Sequence, residues 1–126
     1  MLLATGILGF TGCALGAIGS HYLPSDTPEF RVKAWNTAVH YQLLHTVAIF
    51  ATTLATRVGG ASGALNKSVV SRLNIATKLW LAGTLFFSGS IYGLVLWQKK
   101  ILGPVTPIGG VLLMGGWLAV ATAAVA

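Results

Sequence analysis

The sequence predicts an all-α integral membrane protein, a bundle of four transmembrane helices forming one domain over residues 1–126. Three observations carry that expectation. Hydrophobic residues make up 55% of the chain before its 16 glycines are counted, against about 45–50% for a soluble domain with glycine included. Four apolar stretches approach the roughly 20 residues that cross a hydrocarbon core of about 30 Å. The basic residues all lie between those stretches. The spans run from about Leu2 to Gly19, Ala34 to Thr56, Leu79 to Trp97 and Pro107 to Ala126. At ~20 residues each they take up about two thirds of the chain, which leaves no room for a soluble catalytic domain.

The first span carries Gly6, Gly9, Gly12, Gly16 and Gly19 at intervals of three or four residues, which keeps them on one broad helical face. Small residues on a membrane helix let another backbone approach, so the stripe is read as a packing surface. The only cysteine, Cys13, lies within this span. No intrachain disulfide is available to it, and a buried structural thiol is expected. The N-terminus lacks the basic flank and the small-x-small cleavage site of a signal peptide, so it is read as a retained helix. The connection that follows, from Ser20 to Lys33, is broken by Pro24 and Pro28, with Asp26 or Thr27 opening a short turn before Phe30.

The second span, WNTAVHYQLLHTVAIFATTLAT from Trp35 to Thr56, is the polar one, with Asn36, His40, Tyr41, Gln42 and His45. Such groups are costly in lipid unless they face protein, water or a ligand. Asn36 and His40 are one turn apart, as are Tyr41 and His45, whereas His40 and His45 are about 140° apart around the helix. The two histidines therefore contact different neighbours. A middle connection runs from Arg57 past Gly59, Gly60 and Gly63, with a short interfacial helix over Val69 to Ile75. The third span offers Gly89 and Gly93 for close packing beside Ser88, Ser90 and Tyr92, and ends at Trp97 before Lys99 and Lys100. Pro104 and Pro107 introduce the last span, where Gly109 and Gly116 are further packing positions and Trp117 sits deep enough to pack on another helix.

Eight basic and two acidic residues give a net charge of +6. Distributed between spans, such charges orient a membrane protein and attract lipid head groups; a nucleic-acid footprint would gather them on one folded face. Membrane lipids are thus expected partners and nucleic acid is not. Arg31, Lys33, Lys99 and Lys100 balance Arg57, Lys67, Arg72 and Lys78 across the membrane, so orientation is not chosen by the basic residues.

Up-and-down topology brings His21, Asn36, His40, Ser88, Ser90, Tyr92 and Thr106 toward one membrane surface, with Tyr41 alongside and His45 deeper. The bland role for this cluster is interhelical hydrogen bonding, worth about 0.6 kcal/mol per bond on average. The sharper roles are contact with lipid, quinone or haem, or proton relay. No metal or haem motif, nucleophile elbow, phosphate loop or deep carboxylate is present, so neither a catalytic residue, a metal nor a resident cofactor is expected.

The segments Gly16-Ala17-Ile18-Gly19-Ser20-His21, Trp35 through His40-Tyr41 to His45, Phe87-Ser88-Gly89-Ser90-Ile91-Tyr92, Thr106-Pro107-Ile108-Gly109-Gly110 and Gly116-Trp117 occur in an ordered set. In that order and spacing the chain resembles the transmembrane protein 256 family, also called domain of unknown function 423, over nearly its whole length. The resemblance implies a small multi-helix membrane protein of bacteria or mitochondria without an established reaction. It lies in the mitochondrial inner membrane in a eukaryote and in the plasma membrane in a bacterium. Recurrent polar positions of the family correspond to His21, Trp35, Tyr41, His45, Ser88, Ser90, Tyr92, Thr106 and Pro107, while the family's first histidine falls at Gln42 rather than His40. The middle connection reads as longer than in compact bacterial relatives. Two roles follow: a structural or accessory subunit of a larger membrane complex, a respiratory one included, or of a homo-oligomer; and a small ligand-binding or transport module built on His21, His45 and Tyr92. The first is preferred, because no catalytic constellation is complete.

Overall fold

The computed structural model describes all of residues 1–126 as four α-helices, α1 (Leu2–His21), α2 (Glu29–Ala61), α3 (Lys67–Trp97) and α4 (Val105–Ala123), with one 3-10 turn over Lys100–Leu102. The chain is all-α, as the sequence predicts. Three stretches are long and apolar enough to cross a membrane: Leu2–His21, Lys67–Trp97 and Lys100–Ala123. α2 is the longest helix, at 33 residues, and the most polar of the four.

Local chemistry sets the helix ends. Pro28 stands at the N-cap of α2 with Glu29 in the first turn, where a carboxylate complements the helix dipole. Asn66 caps α3, its side-chain oxygen accepting the Val69 N–H at 2.9 Å. α3 closes on Gln98 at φ +53°, the only positive φ at a non-glycine residue, before Pro104 and Val105 start α4.

The middle connection differs from expectation. Gly59 and Gly60 belong to the last turns of α2, and the residues expected to form a separate interfacial helix, Val69 to Ile75, are the first turns of α3. The link shrinks to residues 62–66. Gly59 is covered by the Leu65 side chain, and Gly60 faces Val70, so these glycines serve helix contact rather than a turn. Only Gly63, at φ +74°, is used for its backbone freedom.

Neighbouring helices run antiparallel. Gly9, Gly12, Gly16 and Gly19 of α1 meet Thr46, Leu43, Val39 and Trp35 of α2 in reverse order. Between α3 and α4, Gly83 faces Leu113, Trp80 faces Gly116, and Phe87 faces Gly109. On α2 the side chains that meet α1 (Val39, Leu43, Thr46) and those that meet α4 (His45) flank opposite sides of the stripe facing α3. The α2–α3 pair is therefore the centre, with α1 and α4 on opposite faces of it and no backbone contact between those two. Leu8, Ile49, Ala76, Trp80 and Leu113 form one core layer, and Trp35, Ala38, Ile91, Tyr92 and Val95 form another.

The glycine positions named from the sequence divide in two. A Cβ at Gly12 would lie 2.7 Å from Leu43, and Gly19, Gly93, Gly109 and Gly116 are equally close to Trp35, Leu102, Phe87 and Trp80; Gly9 and Gly16 are in ordinary contact. Gly6 and Gly89 face open space. Cys13 is exposed, not buried. It lies on the flank of α1 turned away from α2, because Gly9, Gly12, Gly16 and Gly19 take the packed side.

Candidate functional site

Gln42 is the hub of the polar interior. Its Nε2 donates to the Leu8 carbonyl at 2.8 Å and to Thr11 Oγ1 at 2.9 Å, both on α1. Its Oε1 accepts from the Tyr92 hydroxyl of α3 at 2.8 Å. Both amide protons and one carbonyl lone pair are thus engaged, and one side chain joins three helices. Around it, Trp35 Nε1 donates to the Leu15 carbonyl at 2.8 Å and Ser88 Oγ to the Ala38 carbonyl at 2.7 Å. The Trp35 and Tyr92 rings pack at a centroid distance of 4.8 Å.

His45, 2% exposed, is the hub on the opposite flank of α2. Its Nδ1 lies 2.7 Å from the Tyr41 carbonyl, and its Nε2 lies 3.2 Å from Trp117 Nε1 of α4. A carbonyl only accepts and an indole N–H only donates, so the imidazole is held neutral with its proton on Nδ1. Neither nitrogen is left over for a metal. The Tyr41 ring stacks on His45 at 5.8 Å, and Trp80 and Trp117 pack on each other at 4.7 Å. Where the flank opens to the surface, a groove of about 410 Å³ is lined by His40, Tyr41, Phe87, Met114 and Trp117 among others.

A third polar contact fastens α3 to α4. Ser90 Oγ and Thr106 Oγ1 are 2.5 Å apart, and Ser90 also donates to the Phe87 carbonyl at 3.0 Å. Since the single Ser90 proton goes to that carbonyl, Thr106 donates to Ser90. Two buried polar atoms at mid-bundle, Trp80 Nε1 and Thr84 Oγ1, have no partner, nor has Thr53 Oγ1 further along α2.

The structure thus places the sequence-predicted positions in two sets. Tyr41, His45, Ser88, Ser90, Tyr92 and Thr106 lie on or beside the interhelical hydrogen bonds. His21, Asn36 and His40 are exposed and join none of those bonds. His21 sits in the last turn of α1, Asn36 is exposed on α2, and His40 is exposed at the rim of the aromatic groove, so no cluster spanning His21, His45 and Tyr92 forms. Gln42 went unassigned on sequence. Its signal was an amide in the middle of a helix between Leu8-level and Tyr92-level partners, a placement that needs protein contacts in lipid. No group of three or more His, Cys, Asp or Glu side chains is arranged to hold a metal ion.

A family profile described as "Protein of unknown function (DUF423)" matches residues 15–110. Among curated proteins, a UPF0382 membrane protein of Staphylococcus aureus is 41% identical over 103 residues, covering 82% of this chain and 76% of its own. A UPF0382 membrane protein of Haemophilus influenzae is 37% identical over 114 residues, covering 90% and 83%. A UPF0382 membrane protein of Schizosaccharomyces pombe is 34% identical over 117 residues, covering 88% and 89%. No solved structure matches.

Proposed function

The chain belongs to the DUF423 family of small multi-helix membrane proteins, and we propose that it is a non-catalytic structural or accessory subunit of a larger membrane assembly. One observation carries this reading. Gln42, His45, Ser88 and Tyr92, the deep polar side chains best suited to chemistry, are spent on bonds between helices. A reaction site needs a group poised for substrate; here those groups fix helix register instead.

In this reading all four helices cross the bilayer as one domain. α2, at about 1.5 Å per residue, is long enough to span with turns to spare, and it runs antiparallel to α1 and α3 through short links. Gln42, His45, Thr46 and Thr53 are buried against its neighbours, while Leu44, Val47, Phe50 and Leu54 are exposed as a lipid-facing surface requires. Residues 22–28 and 62–66 then lie on opposite sides of the membrane. Cysteines introduced at Ser25 and Ser62, in a Cys13→Ala background, are expected to react with an impermeant maleimide from opposite sides. Labelling of both from the same side would remove α2 as a span.

The assembly is placed in the plasma membrane of a bacterial host or the inner mitochondrial membrane of a eukaryotic one, a respiratory complex being the first candidate, with a homo-oligomer as the simpler form. α1 and α4, each packed mainly against one neighbour, offer the largest uncovered faces. Native mass spectrometry of the gently solubilised endogenous protein tests the proposal. A reproducible larger assembly is the expected result. A monomer retaining a discrete non-lipid mass would instead favour a ligand-binding module, for which the aromatic groove beside His45 is the supporting feature.

A further inference from the structure

We propose that the cleft between the first turns of α2 and the last turns of α3 is a binding site for an anionic phospholipid. The cleft encloses about 320 Å³. Phe30, Ala34, Ile91, Leu94 and Val95 form its apolar walls, and Arg31, Gln98 and Lys100 bring the polar groups. Apolar walls beneath a cationic rim are the two halves of a phospholipid site, one for the acyl chain and one for the phosphate.

Its position suits that occupant. Trp97, exposed at the end of α3, marks the level where aromatic residues meet head groups. The cations are free. Glu29 with Lys33, at 2.9 Å, is the only ion pair in the protein, so neither Arg31 nor Lys100 has a carboxylate partner. Asp26 lines the adjoining hollow with Arg31 but is not ion-paired to it. Arg31 rests over the Phe30 ring, its Cζ 5.6 Å from the centroid, which supports the guanidinium by its face and leaves its N–H edge for phosphate oxygens. Gln98 holds a left-handed backbone, φ +53°, where glycine would be unstrained, and presents an amide to the same cleft.

A second, separate groove lies deeper along the same two helices. Ile91 is one turn above Phe87, and Phe87 and Tyr41 line the aromatic groove of about 410 Å³ on the same flank of the α2–α3 pair. Arg31 to Tyr41 is ten residues of helix, or about 15 Å. That depth is within reach of a membrane acyl chain entering at the head-group level. A second basic groove, lined by Lys67, Ser71, Asn74 and Lys78, lies at the opposite end of α3 and has more polar walls. It serves as the internal control.

The test uses the purified full chain in a non-ionic detergent, with adducts counted by native mass spectrometry. Phosphatidylglycerol and phosphatidylcholine with identical acyl chains are titrated separately. Each free cation contributes about a five-fold preference for the anionic lipid, hence roughly twenty-five-fold for the pair. The R31Q/K100Q variant is expected to bind both lipids alike, and the K67Q/K78Q variant to keep the preference. Because Arg31 and Lys100 are on the rim and outside the core layers, their replacement is expected to leave the helical bundle intact, to be checked by circular dichroism. Single K100Q, altering the most exposed of the pair, should lose part of the preference. Equal binding of the two lipids by the unaltered protein would overturn the proposal. So would a preference that survives R31Q/K100Q or vanishes in K67Q/K78Q. Displacement of phosphatidylglycerol by equimolar glycerol phosphate would show an anion site with no role for the acyl groove, and would overturn it too.

Discussion

If the polar interior holds helices together, the Gln42–Tyr92 bond must be measurable as a coupling energy. The two side chains meet at 2.8 Å in a buried setting between α2 and α3. Hydrogen bonds between membrane helices contribute about 0.6 kcal/mol on average and ~1.7 at most. Tyr92→Phe removes that one bond and is expected to cost about 1 kcal/mol, within the same range. Gln42→Met also releases the Leu8 carbonyl and Thr11 Oγ1 on α1, so three bonds at the average value give about 2 kcal/mol. The double variant should then be less destabilised than the sum, leaving a coupling of roughly 0.6–1.7 kcal/mol. Reversible unfolding in mixed micelles, followed by tryptophan fluorescence, supplies the four free energies. A coupling below about 0.3 kcal/mol, the scatter expected of independent sites, would refute the reasoning. A neutral Gln42→Met would refute it more directly, because a ligand-binding amide can be lost without unfolding the protein.

The same unfolding assay separates the packed glycines from the open ones. Gly109→Ala puts a methyl against the backbone of Phe86 and Phe87, 2.7 Å from the Phe87 Cα, and should cost about 1–3 kcal/mol as overpacking; Gly89→Ala, with nothing within 4 Å, should be tolerated. Gln98→Gly relieves the left-handed backbone at the end of α3 and should stabilise by about 1 kcal/mol. Cys13, exposed in the middle of α1, should react with a lipophilic maleimide in intact membranes and resist a charged, impermeant one; resistance to both reagents would show that another protein covers that face.

The architecture was legible because the bilayer imposes a length and a composition on every crossing segment. Trp97 and the lysines at 99 and 100 marked the end of α3 well, whereas Trp35, expected at the entry of its span, lies in the second turn of α2 and is fully buried. Glycine was the ambiguous letter. At positions 59 and 60 it suggested a turn, yet both residues are helical and are covered by Leu65 and Val70. Within α1 the three-and-four spacing identified the packed face correctly from Gly9 to Gly19, while Gly6 continued the pattern past the point where α2 has a side chain to offer. A stripe shows which side of a helix is smooth; how far along it a neighbour extends depends on the crossing of the two helices. Cys13 illustrates the same limit, since an apolar span has a lipid face as well as a protein face and hydropathy alone does not distinguish them.

The polar site was legible by depth and not by partnership. Gln42, His45, Ser88 and Tyr92 were visible as polar letters in apolar spans, but the pairing of His45 with Trp117 and of Gln42 with Tyr92 joins residues 72 and 50 positions apart. More telling is what receives the remaining donors. The Leu8, Leu15, Ala38 and Tyr41 carbonyls accept side-chain protons from Gln42, Trp35, Ser88 and His45. Every residue carries such a carbonyl, so the acceptor leaves no trace in the sequence. A carbonyl already bonded within its helix retains a second lone pair, and in lipid, where water does not compete, that lone pair is a sufficient partner for a buried donor. Of the side chains that the sequence gathers into a site for chemistry, His21, Asn36 and His40 are those that found no such partner and are exposed. The ones that matter to the fold are the ones whose chemistry is already consumed by it.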